Sequence, residues 1–157
     1  MISLFTRNLF FTLLQPGIVA GLVPYALAKD YFFNVFKHQL QPIQWVGLFV
    51  FSIGLFIMLH CIANFAVRGK GTLSPADPTK RLVISGLYHY SRNPMYAGVM
   101  LILIGEVIFT MSVSLLMYSA AIMTAFVVFV VFWEEPRLTK DFGDEYVAYT
   151  RRVRRWL

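Results

Sequence analysis

The sequence predicts an all-α integral membrane bundle, with about four transmembrane helices and a C-terminal cytoplasmic amphipathic helix in one domain, residues 1–157. Three observations lead there: the composition, four long apolar stretches, and a one-sided distribution of basic residues. Of the 157 residues, 58% are hydrophobic and 14% are charged, against roughly 45–50% and about 25% in an average soluble domain. This balance excludes a disordered chain, a coiled coil, a secreted disulfide scaffold and an ordinary soluble enzyme. The single cysteine, Cys61, forms no internal disulfide and leaves no Cys-rich zinc site. In its apolar run it reads as a small buried hydrophobe.

A helix needs about 20 residues to cross a ~30 Å hydrocarbon core. The first apolar stretch, residues 9–28, contains Pro16 and Pro24. Its Ala26-Leu27-Ala28 resembles a signal-peptidase site, but the stretch is longer than a usual signal segment and its prolines argue for a retained helix. Residues 29–42 mix Tyr31, Phe32, Phe33 and Phe36 with charges, as an interfacial aromatic belt does. The second stretch covers residues 43–67. Gly69, Gly71, Pro75 and Pro78 then mark residues 68–91 as a polar, irregular loop. The third stretch runs over residues 94–111 and the fourth over residues 113–133, so the short break at 110–114 makes them an antiparallel hairpin. In lipid such segments are helices, because no other open structure satisfies its backbone there. Beyond Pro136, Leu138, Phe142, Tyr146, Tyr149 and Val153 recur at helical spacing among charges. That pattern is an amphipathic helix packed on the membrane surface or on the domain, with Trp156 suited to the interface.

Four spans put the N-terminus, the middle loop and the tail on one side. That side holds twelve basic residues: Arg7, Arg68, Lys70, Lys80, Arg81, Arg92, Arg137, Lys140, Arg151, Arg152, Arg154 and Arg155. The other side holds two, Lys29 and Lys37. The asymmetry places both termini in the cytoplasm by the positive-inside rule. It also explains the net charge of +6 without nucleic acid, for which no aromatic-basic RNA motif or zinc finger is present.

Few residues in so apolar a chain have chemistry to offer. Glu134 and Glu135 end the fourth stretch, where a helix dipole disfavours carboxylates by ~0.3–1 kcal/mol each. They read either as acceptors for a ligand's hydroxyl pair or ammonium, or as surface acids paired with Arg137 or another base. The segment Ser85-Gly86-Leu87-Tyr88-His89-Tyr90-Ser91-Arg92-Asn93-Pro94-Met95-Tyr96 leads into the third stretch. Pro94 fits a first helical turn. The N–H groups beside it favour an anion, Arg92 adds a fork-shaped charge, and Tyr88, Tyr90 and Tyr96 offer faces to a cation. A zwitterionic, cationic small molecule suits this set, as does a plain helix start with interfacial tyrosines. Glu106 lies deep in the third stretch, where an ionisable group costs at least ~2.5–3.5 kcal/mol. It is expected to meet a polar partner such as His60 or Asn64, either as a proton acceptor or headgroup contact, or as a packing contact. Three scattered histidines without HExxH spacing argue against a metal, and the soluble nucleotide-binding and hydrolase motifs are absent. The methionines of the hairpin read as packing.

These motifs resemble a known family. Gly86-Leu87-Tyr88 with Ser91-Arg92-Asn93-Pro94-Met95-Tyr96 is similar to the Gly-x-Tyr … Arg-His/Asn-Pro-x-Tyr block of the isoprenylcysteine carboxyl methyltransferase and phospholipid methyltransferase superfamily. So are Glu134-Glu135-Pro136-x-Leu138 and Phe142-Gly143-x-Glu145-Tyr146-x-x-Tyr149 before a basic end. The resemblance covers residues 68–157, read as the cofactor-binding half, and leaves residues 1–67 as two N-terminal spans. It implies an integral membrane methyltransferase using S-adenosyl-L-methionine at the cytoplasmic end of the last two spans, under the C-terminal segment. Carried over by position, Leu87, Tyr88, Arg92, Asn93, Pro94 and Tyr96 would line the cofactor site. Glu135, with Glu134, would hold its polar groups, and Tyr146, Tyr149 and Arg152 would belong to the cover.

The methyl-esterifying members usually carry His where this chain has Asn93, which hydrogen-bonds but does not titrate. Methyl transfer from a sulfonium depends chiefly on alignment in a dry site. A carboxylate acceptor would need only orientation, from Arg92, whereas an amine must first lose a proton, to Glu106 or a pocket Glu. The implied partners are the bilayer and a lipophilic acceptor: a prenylated-cysteine carboxylate, an aminophospholipid headgroup, or a small lipophilic thiol or amine. No metal or nucleic acid is implied, and the compactness suggests a prokaryotic cytoplasmic membrane. The rival of another class is a small non-catalytic membrane transporter or scaffold.

Overall fold

The computed structural model describes residues 16–35, 37, 39–64 and 82–156. The start of the first apolar stretch, Phe36, His38 and the stretch of middle loop holding Arg68, Lys70, Lys80 and Arg81 lie outside the described residues. Among the described residues all regular structure is helical, apart from one isolated bridge between Ser91 and Arg154.

A π-turn, Ile18–Leu22, leads into helix α1, Val23–Val35. The backbone breaks at Ala20 (φ −112°, ψ 17°), four residues before Pro24, whose missing N–H leaves the Ala20 carbonyl without its helical donor. After a second break at Ala28 (φ −123°, ψ 16°), the chain continues helical through residues expected to form an interfacial belt. Phe32 is a packing residue instead, with ring centroids 6.3 Å from Tyr25 and 6.0 Å from Phe109, while Tyr31 and Phe33 stay exposed.

Helices α2, Pro42–Asn64, and α3, Pro94–Thr110, make the most extensive contact among the described residues. Four glycines permit it, two on each helix at a spacing of seven residues: Gly47 and Gly54 against Gly98 and Gly105. A Cβ on Gly54 would stand 2.6 Å from the Gly98 carbonyl oxygen and 2.6 Å from the Ile102 nitrogen. A Cβ on Gly105 would stand 2.5 Å from the Phe51 nitrogen. The backbones are in contact, as at small-residue interfaces of membrane helices. Gly47 meeting Gly105, and Gly54 meeting Gly98, makes the pair antiparallel.

Helix α3 ends on Met111 in the left-handed conformation (φ 53°). Ser112 then caps α4, Val113–Phe129, accepting from the Leu115 N–H at 3.4 Å. The apolar run stops at Trp133 but the helix does not. A π-turn, Val130–Glu134, passes directly into α5, Glu135–Phe142. Pro136 explains the wide turn: in an α-helix it would leave the Phe132 carbonyl unpaired and press its ring on it, and the Glu135 N–H reaches back five residues to Val130 instead. Gly143 (φ 53°) then breaks the chain before α6, Asp144–Arg152. The tail expected as one amphipathic helix is therefore two short ones. Their apolar residues Leu138, Phe142, Tyr146 and Tyr149 gather with Val153, Leu82 and Ile84 in a single cluster.

Among the described residues two helices, Pro42–Asn64 and Val113–Phe142, are long and apolar enough to cross a membrane, rather than the four expected. Helix α3 is apolar but shorter. Trp45, Phe49, Phe56, Met117, Phe132 and Trp133 are all exposed, an exterior that calls for an apolar surrounding.

Candidate active site

Many polar residues among those described collect at one end of the α2–α3–α4 assembly, where three segments meet. The first is the loop entering α3. Gly86 begins a 3-10 turn, Gly86–His89, at φ 67°, and a Cβ there would lie 2.9 Å from Asn64 Nδ2 and 3.1 Å from His60 Nε2. Asn64 donates to the Ser85 carbonyl at 2.6 Å, fastening this loop to the end of α2. Tyr88 is buried against Cys61 and Val83, with Leu87 packed alongside.

The second segment is the chain after α6. It lies along residues 91–93: the Arg92 N–H donates to the Arg154 carbonyl at 2.9 Å, and Asn93 Nδ2 donates to the Arg155 carbonyl at 3.0 Å. Ser91 Oγ accepts from the Asn93 N–H at 3.2 Å and is fully buried. Tyr149 donates to the Tyr88 carbonyl at 2.6 Å, closing α6 over the same loop. Burial pushes the Tyr149 hydroxyl up to about 12, so it remains a donor through the physiological range. Burial likewise raises Tyr146, which lies beside Arg92.

The third segment is the end of the π-turn. Glu135 forms an ion pair with Arg92 Nη1 at 3.0 Å and accepts, in a two-pronged pair, from Arg155 Nε and Nη2 at 2.9 Å each. The bidentate carboxylate raises Arg155 further, fixing its charge. Glu134 accepts from the Tyr96 hydroxyl at 2.8 Å, and the Tyr96 ring stands edge-on to Phe126 at 5.0 Å. The acids are therefore not at a helix C-terminus, as the hydropathy boundary implied. The helix continues to Phe142, and two guanidinium groups compensate Glu135.

The model of a family described as phospholipid methyltransferase matches residues 42–145. The chain belongs to that family, part of the isoprenylcysteine and phospholipid methyltransferase group of membrane proteins. No curated protein and no solved structure matches the chain. The match starts at the first residue of α2 and takes in the glycine seam, the loop and both acids.

Of the candidates from sequence, Tyr88, Arg92, Asn93, Pro94, Tyr96, Glu134, Glu135, Tyr146 and Tyr149 come together here, with Leu87 behind Tyr88. Two do not. Arg152 is exposed at the end of α6, and the neighbouring chain delivers Arg155 in its place. A run of four arginines around Val153 gave no means of choosing between them, because the choice depends on where the helix ends and the extended chain begins. Glu106 sits twelve residues beyond Pro94 on α3, about 18 Å along the axis at 1.5 Å per residue. It is buried with Oε2 unpartnered. His60 and Asn64, its expected partners, stand at the other end of the α2–α3 pair beside Gly86.

Tyr149→Phe tests the closure of α6. It removes a buried hydrogen bond at no cost in shape and is expected to lower stability by roughly 1–2 kcal/mol, read as a drop in Tm. An unchanged Tm would mean that the Tyr149–Tyr88 contact holds nothing.

Proposed function

We propose that the chain catalyses S-adenosylmethionine-dependent methyl transfer to a lipophilic acceptor at the membrane. The observation that carries this reading is the cluster of Glu135, Arg92 and Arg155 beside Glu134 and Tyr96, at one end of an apolar bundle of this family. The residues fit such a cofactor. Arg92 Nε is buried without a hydrogen-bond partner, a donor available to a carboxylate. Glu135 can accept from an ammonium or a ribose hydroxyl pair. Bound S-adenosylmethionine would supply an activated methyl group on a cationic sulfonium.

The chain's own residues then have distinct tasks. Arg92 and Arg155 would bind a carboxylate and compensate the charge of Glu135. Asn93 spends its amide on the Arg155 carbonyl, so its task is to hold the covering segment; it does not exchange a proton. Tyr88, Tyr146 and Tyr149 exclude water. Glu134, the acid that is not ion-paired to arginine in this cluster, is the nearest proton acceptor for an amine, whereas Glu106 is too distant to serve at the cluster directly. A carboxylate acceptor, as in an isoprenylcysteine-type reaction, needs no base. The family's description favours a phospholipid acceptor. The basic side of the chain, with both termini, is read as cytoplasmic.

The test is equilibrium binding of S-adenosylmethionine to the detergent-solubilised chain, followed by methyl-labelled cofactor with each acceptor class. Binding is expected, with label in the lipid fraction. Label released by mild base marks an ester and excludes the amine. A well-folded chain that binds neither the cofactor nor its demethylated product overturns the proposal in favour of a non-catalytic membrane protein.

A further inference from the structure

The segment after α6 has a second feature besides Arg155. Arg151, Arg152 and Arg154 are exposed, and none forms an ion pair among the described residues. Two residues on, Trp156 is half-buried in an apolar groove of about 430 Å³ lined also by Met100, Met123, Thr124, Val127 and Val128. The groove is shallow and open along the apolar surface, where a hydrocarbon chain can lie. It lies on α3 and α4, whose outer faces are apolar, one helical turn from Tyr96 and beside Phe126. One short segment thus touches the lipid-facing wall through Trp156, presents uncompensated positive charge next to it, and pins Glu135.

We propose that this segment is a binding site for an anionic phospholipid. One acyl chain occupies the groove under Trp156, and the phosphate meets the exposed arginines. The charge selects the occupant: unpaired guanidinium groups at an apolar boundary recruit phosphate, and a zwitterionic lipid brings an ammonium that they repel. Because residues 154 and 155 are bonded to residues 91–93, the lipid holds Arg155 on Glu135. The consequence for cofactor affinity rests on the methyltransferase reading; the lipid site does not.

The test uses the full chain in nanodiscs of phosphatidylcholine with a diazirine-tailed phosphatidylglycerol probe. Cross-links are expected on the peptides holding Met100 or Met123 and Val127, competed by unlabelled phosphatidylglycerol but not by phosphatidylcholine or phosphatidylethanolamine. They are expected to fall at least about tenfold in the double variant Arg151→Gln/Arg154→Gln, whose changes are fully on the surface, and in Val127→Trp, which fills the groove. Equal competition by the zwitterionic lipids, or undiminished labelling in the double variant, overturns the proposal. Binding of S-adenosylhomocysteine is measured in parallel and is expected to tighten at least threefold when phosphatidylglycerol reaches a third of the lipid. A wild type that cross-links selectively but binds no cofactor sinks the methyltransferase reading and leaves the lipid site standing. Cofactor binding without selective cross-linking does the reverse.

Discussion

Glu135→Ala is expected to weaken S-adenosylmethionine binding by at least about 100-fold, the equivalent of roughly 2.7 kcal/mol. The carboxylate receives two charge-assisted hydrogen bonds from Arg155, at 2.9 Å each, and forms an ion pair with Arg92 at 3.0 Å. Removing one partner of a buried, hydrogen-bonded charge pair typically costs about 2–5 kcal/mol in binding. The loss is twofold here: a direct acceptor disappears, and the two guanidinium groups repel each other across the space left behind. The fold should survive, since the glycine seam and the tyrosine cluster are untouched. Its stability should fall by about 3 kcal/mol, the lower end for a broken buried pair, because the Arg155 side chain is 39% exposed and water takes up part of its charge. Size-exclusion and circular dichroism on the same sample separate the two effects. A folded variant with unchanged affinity would remove Glu135 from the cofactor site and return the cluster to a structural role.

Gly54→Ala is expected, with Gly105→Ala, to be among the most damaging single-methyl changes at the described glycines. The added carbon meets backbone atoms on α3 at 2.6 Å, and backbone cannot turn aside as a side chain can. The helices must separate along their whole contact. A cost of about 3 kcal/mol, at the top of the usual overpacking range, corresponds to a fall in Tm of roughly 6–12 °C. Gly54→Leu is expected to leave no folded protein. Gly17→Ala is the control: Gly17 has helical dihedrals (φ −65°, ψ −35°) and nothing within 4 Å of its added carbon. If both alanine variants melt together, the seam is looser than its geometry states.

The sequence was most legible where one physical term dominates. Hydropathy located α2, α3 and α4 to within a few residues at every boundary that falls on described residues, because lipid-facing helices must be apolar all round. Hydropathy was blind once the helix left the apolar region, so the continuation through Glu134, Glu135 and Pro136 to Phe142 went unread, and a dipole penalty was assigned to acids in mid-helix. The glycines at 47, 54, 98 and 105 stand in plain sight at matching intervals. Their meaning depends on which helix faces which, a tertiary fact. The same holds for the site. Single positions such as Arg92, Asn93, Tyr96 and Glu135 were readable from motif and charge. The arginine that completes the ion pair was not, because it lies past the end of α6 in extended chain, where periodicity gives no direction. His60 and Asn64 are polar residues of the second stretch and so the expected partners of Glu106, but the antiparallel pairing of α2 and α3 carries them to the opposite end.

The π-turn before Pro136 has a consequence for how such chains are compared. Each residue of an α-helix advances the side-chain direction by about 100°, and a turn holding one extra residue offsets the phase of everything downstream by that amount. The faces of Val113–Phe129 are chosen by lipid and by α3, and those of Glu135–Phe142 by the ionic cluster. The extra residue lets the two choices be made independently. In an alignment, a relative without the widened turn would need a one-residue gap here; aligned without it, the acid that faces the arginines in one chain would be matched to a residue facing lipid in the other.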